Sequence, residues 1–326
     1  MPRITMMEAI RETMRSEMKK DPLLFLIGED VGPYGGEMGV SQGLWEEFGD
    51  KRVRDFPISE ATIIGCGLGA SLTGCRAIAE IPFMDFIGVA MDQVYNQAAK
   101  VQYMFGGKAR VPLVIRTPMG GYQGAAAQPS QCLESWFTHV PGLKVVTPSN
   151  PADAAGLLRT ALADENPVLF IEHKKLYGVR GEVDDPEAAI EFGSARTARE
   201  GKDLTIVAYS YMVKLAVEAA ERLAEEGIDV EVVDPRTLVP LDVEAIVASV
   251  SKTRRALVVY ESWERGGYGA EIAATIGERC FGELACPVRR VAAKNVPIPF
   301  SPPLEQFVLP SVESIAAAAR AAVKGE

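Results

Sequence analysis

The sequence predicts an α/β protein with two domains, each built around a parallel β-sheet. Its 326 residues are enough for two domain cores. Short apolar runs alternate with longer amphipathic segments, as in βαβ units. The alternation stops in a charged stretch and then resumes. We therefore predict a first α/β domain at residues 1–177, a linker at 178–202 and a second α/β domain at 203–326.

In the first domain, the strands are predicted from continuous apolar runs, because helices cover both faces of a parallel sheet. The predicted strands are 23–28, 76–83, 111–116, 144–148 and 167–172. The helices predicted between them are 41–48, 60–72, 89–103 and 151–164. Asn150 suits the N-cap of the last helix, and Pro151 suits its first turn.

The linker and the second domain follow from the same patterns. The stretch 177–202 is charged and has no helical stripe, so we expect a connection that runs over the surface. The runs DLTIVAYS, GIDVEVVD and RALVVYES then predict buried strands. The helices predicted in this part are 212–226, 242–251, 268–281 and one that starts at Ser311.

Composition excludes several classes of protein. No run reaches the roughly 18 apolar residues that cross a bilayer, and the N-terminal segment mixes acids and bases, so we expect a cytoplasmic protein that does not insert into a membrane. A formal net charge of −10 argues against nucleic acid as a partner. The five cysteines form no C-x-x-C pair, which favours free thiols over disulfides or a zinc site.

Familiar catalytic motifs are absent. There is no P-loop, and GCGLGAS (65–71) lies inside a predicted helix, whereas a dinucleotide fingerprint needs a strand-to-helix turn. With His139 and His173 as the two histidines, a histidine-rich metal site is excluded. A Ser-His-Asp triad would have to use one of these two residues.

One acid stands out, Glu60, which begins a predicted helix of small and apolar residues with no neighbouring base. It has two interpretations. Ser59 caps the helix and Glu60 complements the helix dipole, which is worth about 0.3–1 kcal/mol. Alternatively, a partly buried acid without a neighbour donates a hydrogen bond or a proton to a ligand.

The whole chain resembles the beta subunit of the thiamine-diphosphate-dependent decarboxylase component of 2-oxo acid dehydrogenase complexes. This group includes pyruvate, branched-chain 2-oxo acid and acetoin dehydrogenases. The resemblance implies a transketolase-like pyrimidine-binding domain followed by a transketolase C-terminal-like domain. The stretches that carry it are GEDVG (28–32), GLWEEFGDKRVRDFPISE (43–60), MDQVYNQAAKVQYMFGG (91–107), HVPGLKVVTPSNPADAAGLL (139–158), NPVLFIEHKKLYG (166–178), VDPRTLVPLD (233–242) and LPSVESI (309–315).

The resemblance implies a role for Glu60. It would contact a ring nitrogen of the cofactor's pyrimidine and so promote deprotonation of the thiazolium carbon that attacks the keto carbon of a 2-oxo acid. Phe86 matches the aromatic residue that stacks on the pyrimidine, and Glu29 and Ile58 match the pocket wall. Without the family, Phe86 is equally well interpreted as a core aromatic residue.

The resemblance also implies partners. Members of the superfamily hold the diphosphate through magnesium, bound by a GDG motif followed by an asparagine pair, and this chain has no such motif. An alpha subunit would therefore hold the magnesium and complete the site, in a heterotetramer of two alpha and two beta chains. The second domain would dock a basic segment of the lipoyl-bearing acyltransferase core, which the acidic balance of the chain allows.

Potassium is a further implied ligand, since some members bind it in the beta chain. Most ligands at the matching positions are backbone carbonyls, so side-chain identity hardly constrains the site, and an ordinary loop end is the alternative. The matching positions are Leu113, Ala161, Leu162, Asp164 and Asn166.

One position departs from the family pattern. Where the family has a histidine thought to assist acyl transfer to the lipoyl arm, this chain has Pro129, which carries no side-chain proton. His139 matches a separate position, where a structural histidine is expected, and we expect His173 at the surface or at a domain interface.

Three interpretations of Pro129 stay open. The chain supports oxidative decarboxylation of a 2-oxo acid with acyl transfer to a lipoyl domain, and the alpha subunit supplies the missing proton. Or it runs another thiamine reaction, such as acetoin cleavage or that of a split transketolase. Or it is a non-catalytic structural subunit, against which the presence of both Glu60 and Phe86 speaks.

Overall fold

The structure, a computed structural model, describes residues 3–325. It contains two compact units. The first comprises the chain up to Met119 together with Trp136–Phe192, and the second comprises Gly120–Ser135 together with the chain from Gly193 onward. The domain limits expected from the sequence stay a prediction. The segment 120–135 belongs to the second unit, although it lies within the range expected for the first domain.

The first unit contains an open parallel sheet. Its strands are β1 (Arg3–Thr5), β2 (Leu24–Gly28), β3 (Val53–Asp55), β4 (Arg76–Glu80), β5 (Leu113–Met119), β6 (Lys144–Val146), β7 (Val168–His173) and β8 (Arg180–Glu182). Six of them lie in the order β6-β7-β5-β4-β2-β3, with all neighbours parallel. The short β1 and β8 form a separate antiparallel pair. The five strands predicted for this region are confirmed, with ends that differ by at most three residues.

Helices cover this sheet. Up to residue 192 they are α1 (Met6–Lys20), α2 (Leu44–Phe48), α3 (Glu60–Leu72), α4 (Val101–Met104), α5 (Glu134–Thr138) and α6 (Pro151–Ala163). The prediction for α3 is confirmed to the residue. The cap of α6 is confirmed as well, since the Asn150 side chain accepts a hydrogen bond from the Asp153 amide at 2.9 Å.

The single helix predicted at 89–103 is wrong. The chain forms a 3₁₀ helix at Met84–Ala90, a π-helix at Asp92–Ala98 and then α4. A close backbone approach lies at the junction of the π-helix and α4, since a Cβ at Gly142 would lie 2.0 Å from the carbonyl oxygen of Ala99. Contacts between residues far apart in the sequence do not change the local hydrophobic periodicity, so the pattern could not predict this break.

The second unit has its own sheet. The strands in this part of the chain are β9 (Arg196–Arg199), β10 (Leu204–Ala208), β11 (Val230–Asp234), β12 (Thr237–Val239), β13 (Ala256–Trp263) and β14 (Arg289–Ala293). Five of them lie in the order β14-β13-β10-β11-β9, and only β9 runs antiparallel to its neighbour. Its helices are α7 (Tyr211–Glu225), α8 (Val243–Thr253), α9 (Gly269–Arg279), α10 (Pro302–Val308) and α11 (Val312–Lys324). The stretch 177–202 was expected to be a connection without a helical stripe that runs over the surface, and it contains the short strands β8 and β9 and no α-helix.

A buried ionic network ties the centre of the first sheet together. The Arg116 guanidinium on β5 donates hydrogen bonds to Glu172 on β7 at 2.6 and 2.8 Å and to Glu80 on β4 at 2.6 Å. The Tyr177 hydroxyl donates a further bond to Glu172 at 2.5 Å. Burial raises the pKa of Glu80, although Arg116 opposes the shift. Removing one partner would leave a buried charge unpaired, which is strongly destabilising.

The fold places the candidate site at the carboxyl end of the first sheet. Glu29 follows directly after β2, and Glu60 is the first residue of α3. In open α/β sheets ligands bind outside the carboxyl ends of the strands.

Candidate active site

Two of the predicted site residues, Glu29 and Glu60, influence each other electrostatically. The pKa of Glu29 lies above its ordinary value of 4.5, first because burial disfavours its charged form and then because the charges of Glu60 and Asp30 repel it. Strands and helices far apart in sequence thus bring two acids into one environment. Such like-charge neighbours at a sheet end are typical of functional sites.

Within residues 3–325, the carboxylates of this pair have no hydrogen-bond or ion-pair partner. Oε1 of Glu29 is buried and accepts no hydrogen bond. Glu60 is only 7% exposed, and its side chain makes no hydrogen bond or ion pair with residues 3–325. A buried acceptor without a donor costs about 1–3 kcal/mol. The arrangement therefore fits a polar ligand that brings its own donors, as the aminopyrimidine of thiamine diphosphate does.

The helix-cap interpretation of this region is wrong in one respect. Ser59 occupies the N-cap position of α3 but makes no side-chain bond to the helix backbone. Its hydroxyl lies 2.7 Å from the Thr62 hydroxyl. Glu60 is the acid of the first turn of this helix.

Phe86 lies on the 3₁₀ helix that packs against α3. Its ring is half-buried and meets the Phe83 ring edge-on, with centroids 5.9 Å apart and an interplanar angle of 85°. The Lys174 ammonium lies 5.6 Å from the Phe83 ring centre. Phe86 is thus held by a neighbouring aromatic ring and is not enclosed in the core.

Ile58, the fourth predicted residue, is 83% exposed. A wall of a working pocket would be covered, so this side of the site is open in the isolated chain. Further apolar side chains on the segments that follow Phe86 are also exposed. They are Val89, Tyr95, Tyr103, Met104 and Phe105. Exposed apolar clusters of this kind mark protein interaction surfaces. Most of these residues lie in the stretch 91–107, one of those that carry the family resemblance.

A cavity of about 750 Å³ is lined by residues of β2, β3 and α3. Its lining includes Phe25 on β2, Val53 on β3, and Cys66 and Ala70 on α3, but none of the four site residues. The candidate site therefore does not coincide with this cavity.

The segment 120–135, which contains Pro129, is anchored within the second unit by carboxylates. The Gly121 amide donates to Glu261 at 2.7 Å, and the Gly124 amide donates to Glu305 at 3.1 Å. The Tyr122 hydroxyl donates to the Pro310 carbonyl at 2.8 Å. Pattern reasoning missed these anchors, because they join backbone amides to acids more than 100 residues away.

A buried acid lies at the end of the same segment. Oε1 of Glu134 accepts hydrogen bonds from Tyr209 at 2.7 Å and from Ser262 at 2.6 Å. Burial raises the pKa of Glu134 more than these two bonds lower it. Its Oε2 and the Ser130 hydroxyl are buried without a partner in the described chain.

Both histidines lie in the first unit, whereas Pro129 belongs to the second. His173 is fully buried, and its Nδ1 accepts a hydrogen bond from the Lys175 amide at 3.1 Å, so the expected surface position is wrong. His139 is exposed on the first unit, which does not agree with a structural histidine.

The five positions matched to a potassium site lie around the end of α6 and the start of β5. The Arg76 guanidinium already donates to the carbonyl oxygens of Leu162 and Asp164, each at 3.1 Å. The Asp164 side chain accepts from Asn166 at 2.9 Å and pairs with Lys144. Leu113 lies on the neighbouring strand, opposite Ala77, and the Ala161 carbonyl accepts from the Asp164 amide. The carbonyl oxygens of Ala161, Leu162 and Asp164 thus already accept hydrogen bonds from the protein.

Two general findings complete the description. Within residues 3–325, no group of three or more His, Cys, Asp or Glu side chains is placed to hold a metal ion. In the same range, no helix is long and apolar enough to cross a membrane.

Comparison with protein families identifies both halves of the chain. The pyrimidine-binding domain of transketolases matches residues 2–180, and the transketolase C-terminal domain matches residues 193–315.

Several characterised relatives are similar over almost their full length. The beta subunit of acetoin:2,6-dichlorophenolindophenol oxidoreductase from Cupriavidus necator is 47% identical, over 97% of this chain and 96% of the relative. The beta subunit of 2-oxoisovalerate dehydrogenase from Bacillus subtilis is 42% identical, over 96% of both chains. The pyruvate dehydrogenase E1 component subunit beta from Rickettsia felis is 44% identical, also over 96% of both.

A solved structure agrees with the fold. A split-gene transketolase, described as an inactive beta4 tetramer, superimposes with a TM-score of 0.79 at 24% identity, covering 99% of each chain. This similarity establishes the transketolase-like α/β fold.

Proposed function

We propose a function from one premise: the chain belongs to the family of beta subunits of thiamine-dependent 2-oxo acid dehydrogenases, which includes the pyruvate, branched-chain and acetoin enzymes. With an alpha subunit, it carries out oxidative decarboxylation of a 2-oxo acid and transfers the acyl group to a lipoyl domain. The observation that carries this proposal is the buried, partnerless Oε1 of Glu29 beside Glu60.

The residues of this chain have separate tasks. When bound, thiamine diphosphate supplies the carbanion and the electron sink. Glu60 holds a proton at a ring nitrogen of the pyrimidine. Phe86 places an aromatic face against the same ring. Glu29 forms the polar wall of the pocket with its Oε1, which has no partner in the described chain. Ile58 excludes water once a partner covers it, which strengthens every electrostatic contact in the site.

The partner is an alpha subunit. The open side at Ile58 and the exposed apolar residues after Phe86 support this, because an apolar surface of this kind needs a cover. The alpha subunit also holds magnesium and the diphosphate. We propose the family heterotetramer of two alpha and two beta chains, docked on a lipoyl acyltransferase core.

The substitution Glu60→Gln tests the role of Glu60. It removes the proton-holding group but keeps the shape, so exchange of the thiazolium proton, followed by NMR in the assembled enzyme, should slow by about 10²–10⁴-fold. Binding of thiamine diphosphate should change little. Glu46→Gln, at the exposed first turn of α2, is the control. Unchanged exchange in the Glu60 variant would remove it from this role.

Acetoin is a second candidate substrate. Two acetoin-oxidoreductase beta subunits, from Cupriavidus necator and Bacillus subtilis, are 47% identical to this chain, while the 2-oxo acid relatives named above reach 42–44%. Turnover of acetoin, pyruvate and branched 2-oxo acids with an artificial electron acceptor distinguishes them. No turnover of any of these, with cofactor bound, would favour the split-transketolase type or a non-catalytic subunit.

Pro129 predicts a specific defect. Decarboxylation and acyl transfer need different proton donors, and loss of one well-placed donor costs about 10²–10⁴-fold in rate. We therefore expect the assembled enzyme to reduce an artificial acceptor well but to reduce NAD poorly through the lipoyl complex. Equal rates in the two assays would mean that Pro129 is compensated, for example by the alpha subunit.

A further inference from the structure

A cationic side chain occupies the loop where the family resemblance suggests potassium. Arg76 begins β4, and its Nη1 donates to the carbonyl oxygens of Leu162 and Asp164, each at 3.1 Å. Its Nη2 pairs with Glu165. These carbonyls lie at the C-terminal end of α6, where the last carbonyls of a helix lack intrahelical donors and carry partial negative charge.

Other acceptors of this loop are also in use. Oδ1 of Asp164 accepts from the Asn166 amide and side chain, both at 2.9 Å, and its other oxygen pairs with Lys144. The Ala161 carbonyl accepts from the Asp164 amide at 3.3 Å. A potassium ion on these oxygens would displace protein donors and would lie beside two positive side chains.

We propose that Arg76 is the built-in cation of this loop, and that the protein needs no potassium there. The guanidinium supplies the positive charge and the directed donors that an ion would supply, and Glu165 holds it in place. Arg110 also pairs with Glu165, at 3.0 Å, but is 71% exposed and contacts no carbonyl of the loop. This proposal is independent of the catalytic one, since it concerns folding stability.

Thermal unfolding of the full chain in chloride salts tests the proposal. The salts are potassium, sodium and choline chloride at equal concentration, so that ionic strength is constant. We expect the same unfolding temperature in all three. A saturable rise specific to potassium in the unmodified protein would overturn the proposal, and this measurement needs no variant to fold.

A pair of variants tests the role of Arg76 itself. Arg76→Met keeps the length of the side chain but removes the charge and the donors, and it should lower the unfolding temperature by about 3–6 °C. Arg110→Met, which loses the same carboxylate partner, is the matched control and should change it by less than about 1 °C. Equal losses in the two variants would overturn the assignment, because contact with the carbonyls would then have no effect.

Discussion

At the residue scale, the candidate site rests on two acids, Glu29 and Glu60, whose charges influence each other. The family pattern pointed to Glu29 and Glu60, and the structure gives them a shared environment. The sequence does not show that Ile58 is exposed or that the Ser59 hydroxyl makes no bond to the helix backbone. Both features depend on how the chain packs in three dimensions.

The raised pKa of Glu29 predicts a pH dependence of stability. Because its folded pKa lies above 4.5, the folded state binds more protons than the unfolded state between pH 4.5 and the folded pKa. The stabilisation is therefore full below pH 4.5 and is lost as the pH rises through the folded pKa.

Glu29→Gln tests this dependence, because the amide mimics the neutral acid. The variant should unfold at a higher temperature than the unmodified protein at neutral pH, and the difference should shrink towards pH 4.5. The measurement is thermal unfolding across this pH range, with the exposed Glu37→Gln as control. A constant difference across the range would contradict the account.

At the element scale, prediction succeeded where a local pattern dominates. The small-residue helix α3 and the N-capped α6 have clear limits in sequence. It failed for the helix expected at 89–103, where the close approach of Gly142 to Ala99 lies at the junction of the π-helix and α4. The short β8 and β9 were missed, because strands of three or four partly exposed residues have too little apolar periodicity to detect.

The anchoring of segment 120–135 gives an element-scale prediction. Glu305 on α10 is buried and accepts from the Gln123 and Gly124 amides. Glu305→Gln loses the charge and half of the acceptors, so the free energy of unfolding should fall by about 1–3 kcal/mol. Amide hydrogen exchange should accelerate at Gln123 and Gly124.

The neighbouring Gln306→Ala, on the exposed side of the same helix, is the control for Glu305. Denaturant unfolding measures the stability, and exchange followed by mass spectrometry locates the change. Loss of stability without faster exchange at these two amides would show that Glu305 does not hold the segment.

At the scale of the whole molecule, the α/β class and the two series of strands followed from the alternation of patterns. The membership of segment 120–135 did not, since it depends on contacts with Glu261 and Glu305 far along the chain. The same holds for Arg76, whose local sequence is that of an ordinary strand start.

The central claim is that this chain forms half of a thiamine diphosphate site. The most direct test is calorimetric titration of thiamine diphosphate and magnesium into the chain alone and into the chain co-expressed with its alpha subunit. We expect binding only in the mixture. On the proposed function, the chain supplies the pyrimidine side of the site, and the alpha subunit covers the exposed side at Ile58. Equally tight binding by the chain alone, or no binding by the mixture, would contradict the claim.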